Sequence, residues 1–83
     1  MEGLAVGRIV HYVLGAGEGF GSHRPAIIVN IMEARIGIVN LQIFTDSDTT
    51  ERHNDRLPPV IWRTSVPYDP EGQIHTWHWV EKA

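Results

Sequence analysis

The sequence predicts a small all-β domain, a five-stranded SH3-like barrel, on three observations. Apolar and polar residues alternate at the two-residue period of a strand. Clusters of Gly, Pro, Asn and Asp separate these runs, and no segment carries the apolar stripe of an amphipathic helix. Short strands that curl shut would also remove exposed sheet edges. A five-stranded fold in the OB style is the rival. A helix within 46–59 would favour it, but that segment has no apolar stripe, so the SH3-like form is preferred.

The first strand covers 7–14, "GRIVHYVL", with Ile9, His11 and Val13 on one face and Val10, Tyr12 and Leu14 on the other. "GAGEGFGS", 15–22, places four glycines in eight positions and reads as a flexible loop. The second strand, 24–34, starts next to Pro25, where a missing amide donor is tolerated. A tight turn around Ala34 to Gly37 leads into the third, 38–45, where Val39, Leu41 and Ile43 alternate with Asn40 and Gln42. The polar stretch 46–59 ends in two prolines and is expected to be the longest irregular loop. "VIWRTSV", 60–66, is a fourth strand stopped by Pro67. "YDPEGQ" is turn chemistry, and "IHTWHWV", 74–80, is the fifth strand.

All 83 residues make one domain, 1–83, near the lower limit for a self-sufficient core, to whose stability a homo-oligomer interface would add. The absence of cysteine removes disulfides and thiolate metal sites and points to a cytosolic setting. Met1-Glu2-Gly3-Leu4 shows no basic-then-apolar leader, and no apolar run approaches the ~18 residues that suggest a membrane span. Net charge is −3, with seven Lys or Arg against ten Asp or Glu, which argues against a partner made of long nucleic acid. A small nucleotide needs only a few donors. Six of the seven basic residues are arginines, suited to bidentate phosphate contacts, although ordinary surface solubility accounts for most arginines.

"LQIFTDSDTT" mimics the Asp-x-Asp-x-Thr signature of haloacid dehalogenase-like phosphotransferases, with Asp46 as nucleophile and Asp48 as acid/base. That chemistry needs a doubly wound parallel sheet with crossover units of roughly 30 residues, for which this chain has no helical periodicity. No enzymatic activity is expected. Five histidines raise metal binding instead, but His75 and His78 lie three apart on a strand and so face opposite ways. His11, His23 and His53 come from separate segments and meet only through folding. No metal and no cofactor are therefore expected.

The chain ends in an aromatic cluster, with Trp77 and Trp79 predicted on one face of the fifth strand. Two such indoles, with Trp62 also to be placed, would crowd so small a core. Trp77 is therefore expected at the rim, with Trp79 or Trp62 filling the interior. Arg24 beside His23, and the Arg63-Thr64-Ser65 run, supply polar groups that with Tyr12 and Trp77 would form an aromatic-walled pocket.

"VGRIVHYVL", "HRPAIIVNI", "VNLQIFTD", "WRTSVPYD" and "TWHWVEK" together resemble a group of short phage-encoded proteins, almost end to end. The chain is similar to the anti-CBASS sponge proteins, which sequester cyclic oligonucleotide signals of bacterial antiphage defence, notably 3′3′-cyclic GMP–AMP. The resemblance implies stoichiometric capture without hydrolysis in the cytoplasm of the infected host, with Tyr12 and Trp77 stacking on bases. To these the residues themselves add Arg24 and Arg63 for phosphates, and Thr64, Ser65 and His11 for polar base or ribose edges. The "GAGEGFGS" loop and the missing Pro-Gly before Thr76 depart from the group's pattern and leave nucleotide selectivity open. The runner-up is an SH3-like protein-interaction or structural module with an aromatic binding face.

Overall fold

Alternating apolar residues dictate which side of each strand is buried, and the computed structural model follows them closely. It describes residues 1–15, 21–45, 50–52, 55–56 and 58–81, with the backbone alone at 50–52 and 55–56. The described residues form β1 (Ile9–Val13), β2 (His23–Glu33), β3 (Ile38–Phe44), β4 (Thr50–Arg52), β5 (Asp55–Arg56), β6 (Val60–Val66) and β7 (Trp77–His78). No helix occurs among them, so none is long and apolar enough to cross a membrane.

Five strands pair antiparallel in the order β6-β3-β2-β1-β7, while β4 and β5 pair only with each other. Val10, Tyr12 and Leu14 join Ala26, Ile28, Val39, Leu41, Ile43, Ile61, Val66 and Trp77 in one core. The alternating Val39, Leu41 and Ile43 of the third strand are therefore buried, and of the two faces of the first strand it is that of Val10, Tyr12 and Leu14 that enters this core. Positions 16–20, within the glycine-rich loop, lie outside the described residues.

Two predicted elements differ. Within 46–59, expected to be irregular, Thr50 pairs with Arg56 and Arg52 with Asp55. A short ladder of polar residues carries no apolar alternation, so nothing in the pattern could reveal it. The fifth strand, predicted over 74–80, is regular only at Trp77–His78. His75 has φ 64°, a left-handed conformation that breaks the extended run, although it keeps a bond from its amide to the Val13 carbonyl at 2.8 Å.

Bulges curve the sheet. Two register shifts interrupt the β2–β3 ladder, and each gives β2 one extra residue. Such insertions bend a strand and raise its twist. A third lies between β3 and β6, where Ser65 takes φ 53° and donates its amide to Asn40 Oδ1 at 2.9 Å. That bond accounts for a buried asparagine between Val39 and Leu41. The sheet itself is not closed. Its two ends meet at one parallel bridge, Tyr68 to Trp77, where the Trp77 amide donates to Pro67 O and the Asp69 amide to Trp77 O.

The β2–β3 turn shows why a glycine is needed at 37. Gly37 has φ 76°, and an added Cβ would stand 2.9 Å from Tyr68 Cβ and 2.7 Å from Met1 Cε. Met1 can move, but Tyr68 cannot without shifting the bridge to Trp77. Gly37→Ala is expected to destabilise the fold by about 1–3 kcal/mol, the usual scale for such backbone strain. Thermal denaturation followed by circular dichroism checks this, and an unchanged melting temperature would show that the turn tolerates a side chain.

Candidate functional site

Strand parity sorts the sequence-predicted site residues into different places. Tyr12 and Trp77 are direct partners on β1 and β7, and both point inward. Trp77 is 0% exposed, and its indole Nε1–H donates to Gly37 O at 2.7 Å. The Tyr12 hydroxyl, also buried, lies 3.0 Å from His75 Nδ1. The expectation that these two rings stack on a ligand is therefore corrected, because both are core residues. The assignment of the tryptophans is corrected with it. Trp62 is 47% exposed on the outer face of β6. Trp79 packs partly buried against the core, edge-on to Trp77, with the Arg8 guanidinium 5.3 Å from its ring centroid.

The polar candidates are dispersed. Arg24 is half-buried and donates from Nε to Phe44 O, and Arg63 donates from Nη1 to Trp62 O at 3.0 Å. Thr64 and Ser65 are exposed at the end of β6. His11 lies elsewhere, in a cluster on the outer face of β1. Tyr12 and Trp77 thus line no common pocket with the exposed hydroxyls. Asp46, Asp48 and His53 fall outside the described residues.

The cluster around His11 was not assembled from sequence. On β1 and β7, His11 is paired with His78, so both face outward when Tyr12 and Trp77 face inward. His23, the first residue of β2, lies opposite Val13, two positions along the same face of β1. Glu81 follows His78 by three residues and returns its carboxylate to all three rings. Its Oε1 stands 3.3 Å from His11 Nδ1, 2.5 Å from His23 Nδ1 and 2.7 Å from His78 Nε2. The rings meet edge-on, with centroids 5.7 Å apart for His11 and His78 and 4.8 Å for His23 and His78.

His78 is only 6% exposed, and its Nδ1 has no hydrogen-bond partner among the described residues. Glu81 remains 53% exposed at its side chain. Hydrogen bonds from His78 first, then His23 and His11, hold its carboxyl well below the ordinary 4.5, at about 2, against a small opposing effect of burial. The carboxylate is therefore charged throughout the neutral range. The four donor atoms lie within 4.8 Å of one another, close enough for one metal ion to be held among them.

Comparison with protein families, curated proteins and solved structures finds no match in any of the three.

The tryptophan assignment generates a direct test. Trp77→Ala is expected to lose about 3–5 kcal/mol, enough to unfold a domain of this size, whereas Trp62→Ala keeps its melting temperature within a few degrees. Comparative denaturation decides it: a folded Trp77→Ala and an unfolded Trp62→Ala would reverse the assignment.

Proposed function

We propose that the protein is a non-catalytic capture module that binds and sequesters a cyclic oligonucleotide of bacterial antiphage defence, with 3′3′-cyclic GMP–AMP as the representative ligand. The setting is the cytoplasm of a phage-infected bacterium, and the fold is an SH3-like barrel. The Tyr68–Trp77 bridge supports the barrel form, since it brings the chain leaving β6 against the opposite edge strand. The ligand surface in this reading is not the buried Tyr12–Trp77 pair but the outer face of β3 and β6.

One observation carries the choice of face. Trp62 and Phe44 are exposed, and they are diagonal neighbours, because Phe44 pairs with Val60, two residues before Trp62. Diagonal positions on adjacent strands stand roughly 7–8 Å apart, within reach of large rings. Each ring has an arginine bonded to its own backbone carbonyl, Arg24 at Phe44 and Arg63 at Trp62. Exposed flat rings, with guanidinium groups anchored on the same and neighbouring strands, are the chemistry that bases and phosphates need. Thr64 and Ser65, exposed on the same strand as Trp62, supply hydroxyls for base or ribose edges.

The exposed apolar side chains Ile9 and Val60 favour a second reading on this same face. Ile9 pairs with Ile27, Ile27 with Gln42 and Gln42 with Trp62, a row that crosses four strands. Such a row suits an SH3-like protein-interaction or structural module, including a homo-oligomer.

Titration with cyclic and linear dinucleotides separates the two. Saturating 3′3′-cyclic GMP–AMP, at 100 times its Kd, is expected to stabilise the fold by ~2.7 kcal/mol and to be recovered intact. Trp62→Ala is expected to lose 1–3 kcal/mol of stacking, roughly a 5- to 150-fold weaker Kd, while remaining folded. Absence of any shift with every nucleotide, together with self-association that Trp62→Ala abolishes, would sink the capture reading in favour of the interaction module.

A further inference from the structure

We propose that His11, His23, His78 and Glu81 form a closed, four-coordinate Zn²⁺ site that ties the C-terminal segment to β1 and β2. The site is independent of the nucleotide reading, since it uses other residues at the opposite end of the sheet.

Three imidazole nitrogens converge on a single carboxylate oxygen, at 2.5, 2.7 and 3.3 Å. One carboxylate oxygen offers about two lone-pair directions, so three donated N–H bonds exceed its capacity. A cation resolves the conflict. Each ring then presents a lone pair and the carboxylate supplies negative charge, leaving all four groups pointing at one centre.

Strand pairing pre-positions the donors. The backbone register places His11 opposite His78, and the start of β2 sets His23 beside them. Because His78 is more than nine-tenths buried, its ring is fixed, and Nε2 is the nitrogen turned toward the cluster. Among the described residues no partner at its Nδ1 competes for the tautomer, so the proton can reside there while Nε2 binds metal.

The donor set selects the metal. Imidazole suits zinc, copper, iron and nickel, and carboxylate completes a hard-to-borderline set without any thiolate. Four protein donors and no vacant position describe a closed structural zinc site. With Zn–N and Zn–O near 2.0–2.1 Å, tetrahedral donors stand ~3.3–3.4 Å apart. The donors here already lie within 4.8 Å, and the half-exposed Glu81 is the side chain able to step back and admit the ion.

The role follows from position. β7 has two residues, and a strand so short holds its edge weakly. A chain of this size without disulfides benefits from a metal staple, whose binding energy becomes folding energy.

The test uses the full chain stripped with chelator, then titrated with Zn²⁺ by calorimetry and with Co²⁺ by visible absorption. One equivalent of Zn²⁺ is expected, with a raised melting temperature and the intense visible bands of tetrahedral Co²⁺. His11→Ala and His23→Ala, both at accessible positions, are expected to weaken Zn²⁺ binding by more than about 100-fold, beyond the usual effect of losing an outer-shell partner. Both should melt near the temperature of the metal-free wild type. No saturable binding to the wild type would overturn the proposal, as would unchanged affinity in the His11→Ala/His23→Ala double variant. Should a histidine variant fail to fold, Glu81→Gln decides instead: weakened Zn²⁺ affinity in a folded protein supports the site, and wild-type affinity refutes it.

Discussion

Trp77 ties together three separate parts of the chain, and the rest of the architecture is built around how it sits. Its indole N–H is donated to the Gly37 carbonyl in the β2–β3 turn, and its ring packs 4.9 Å from Tyr68 and 5.1 Å from Trp79. Its own backbone bonds Pro67 on one side and Asp69 on the other. A buried indole with an unmet N–H would forfeit about 1–3 kcal/mol, so the Gly37 carbonyl must stay where it is. This requirement fixes the turn, which in turn admits no side chain at 37 because Tyr68 lies against it. The C-terminal segment, the central turn and the chain leaving β6 are thereby held as one unit.

The same placement creates the polar cluster on the outer face. Side chains along a strand alternate, so an inward Trp77 obliges His78 to face outward, where pairing sets it beside His11. A slip of one residue would exchange the two, turning a tryptophan out of the core and an imidazole into it. Core and cluster are therefore not separate features of this protein. The free energy of burying one indole holds three imidazoles in register, which is how a small β-domain can pre-organise donors without a helix or a disulfide.

How legible all this was in the sequence depends on the range of the information. The alternation at Val39, Leu41 and Ile43 is local, and those three are buried; at Val10, Tyr12 and Leu14 it defined a shared face but not that this face is the inner one. The bounds of β6 were legible because Pro67 stops it. Which of three tryptophans lies inside was not, since Trp62 and Trp77 both sit in plausible strands and only the partner at Gly37 distinguishes them. The histidine cluster was missed for a related reason. The pair close in sequence, His75 and His78, engages different partners: His75 meets Tyr12 while His78 meets Glu81. The ligand set spans 70 positions, from His11 to Glu81, and only strand pairing brings it together. One local constraint was nonetheless present: His11 lies outside the series Val10, Tyr12 and Leu14, and so had to sit on the opposite side of the strand from them.

The outer face thus divides into two chemistries that meet in β2. At the β7–β1–β2 end lie imidazoles and a carboxylate, and at the β3–β6 end lie the exposed rings of Trp62 and Phe44. His23 and Arg24 are consecutive, one turned to the cluster and the other bonded to the Phe44 carbonyl. Alternation explains how adjacent residues serve opposite ends, for Arg24 is paired with inward-facing Tyr12 and leaves the sheet at its margin to reach β3. Any ion held at the cluster would fix the start of β2, and with it the backbone from which Arg24 projects. Coupling between the two ends is then limited to what one strand terminus can transmit, while β3 and β6 keep their own long ladder. Occupancy of the histidine cluster should therefore bear chiefly on how firmly β7 is held, and much less on the ring-and-guanidinium face.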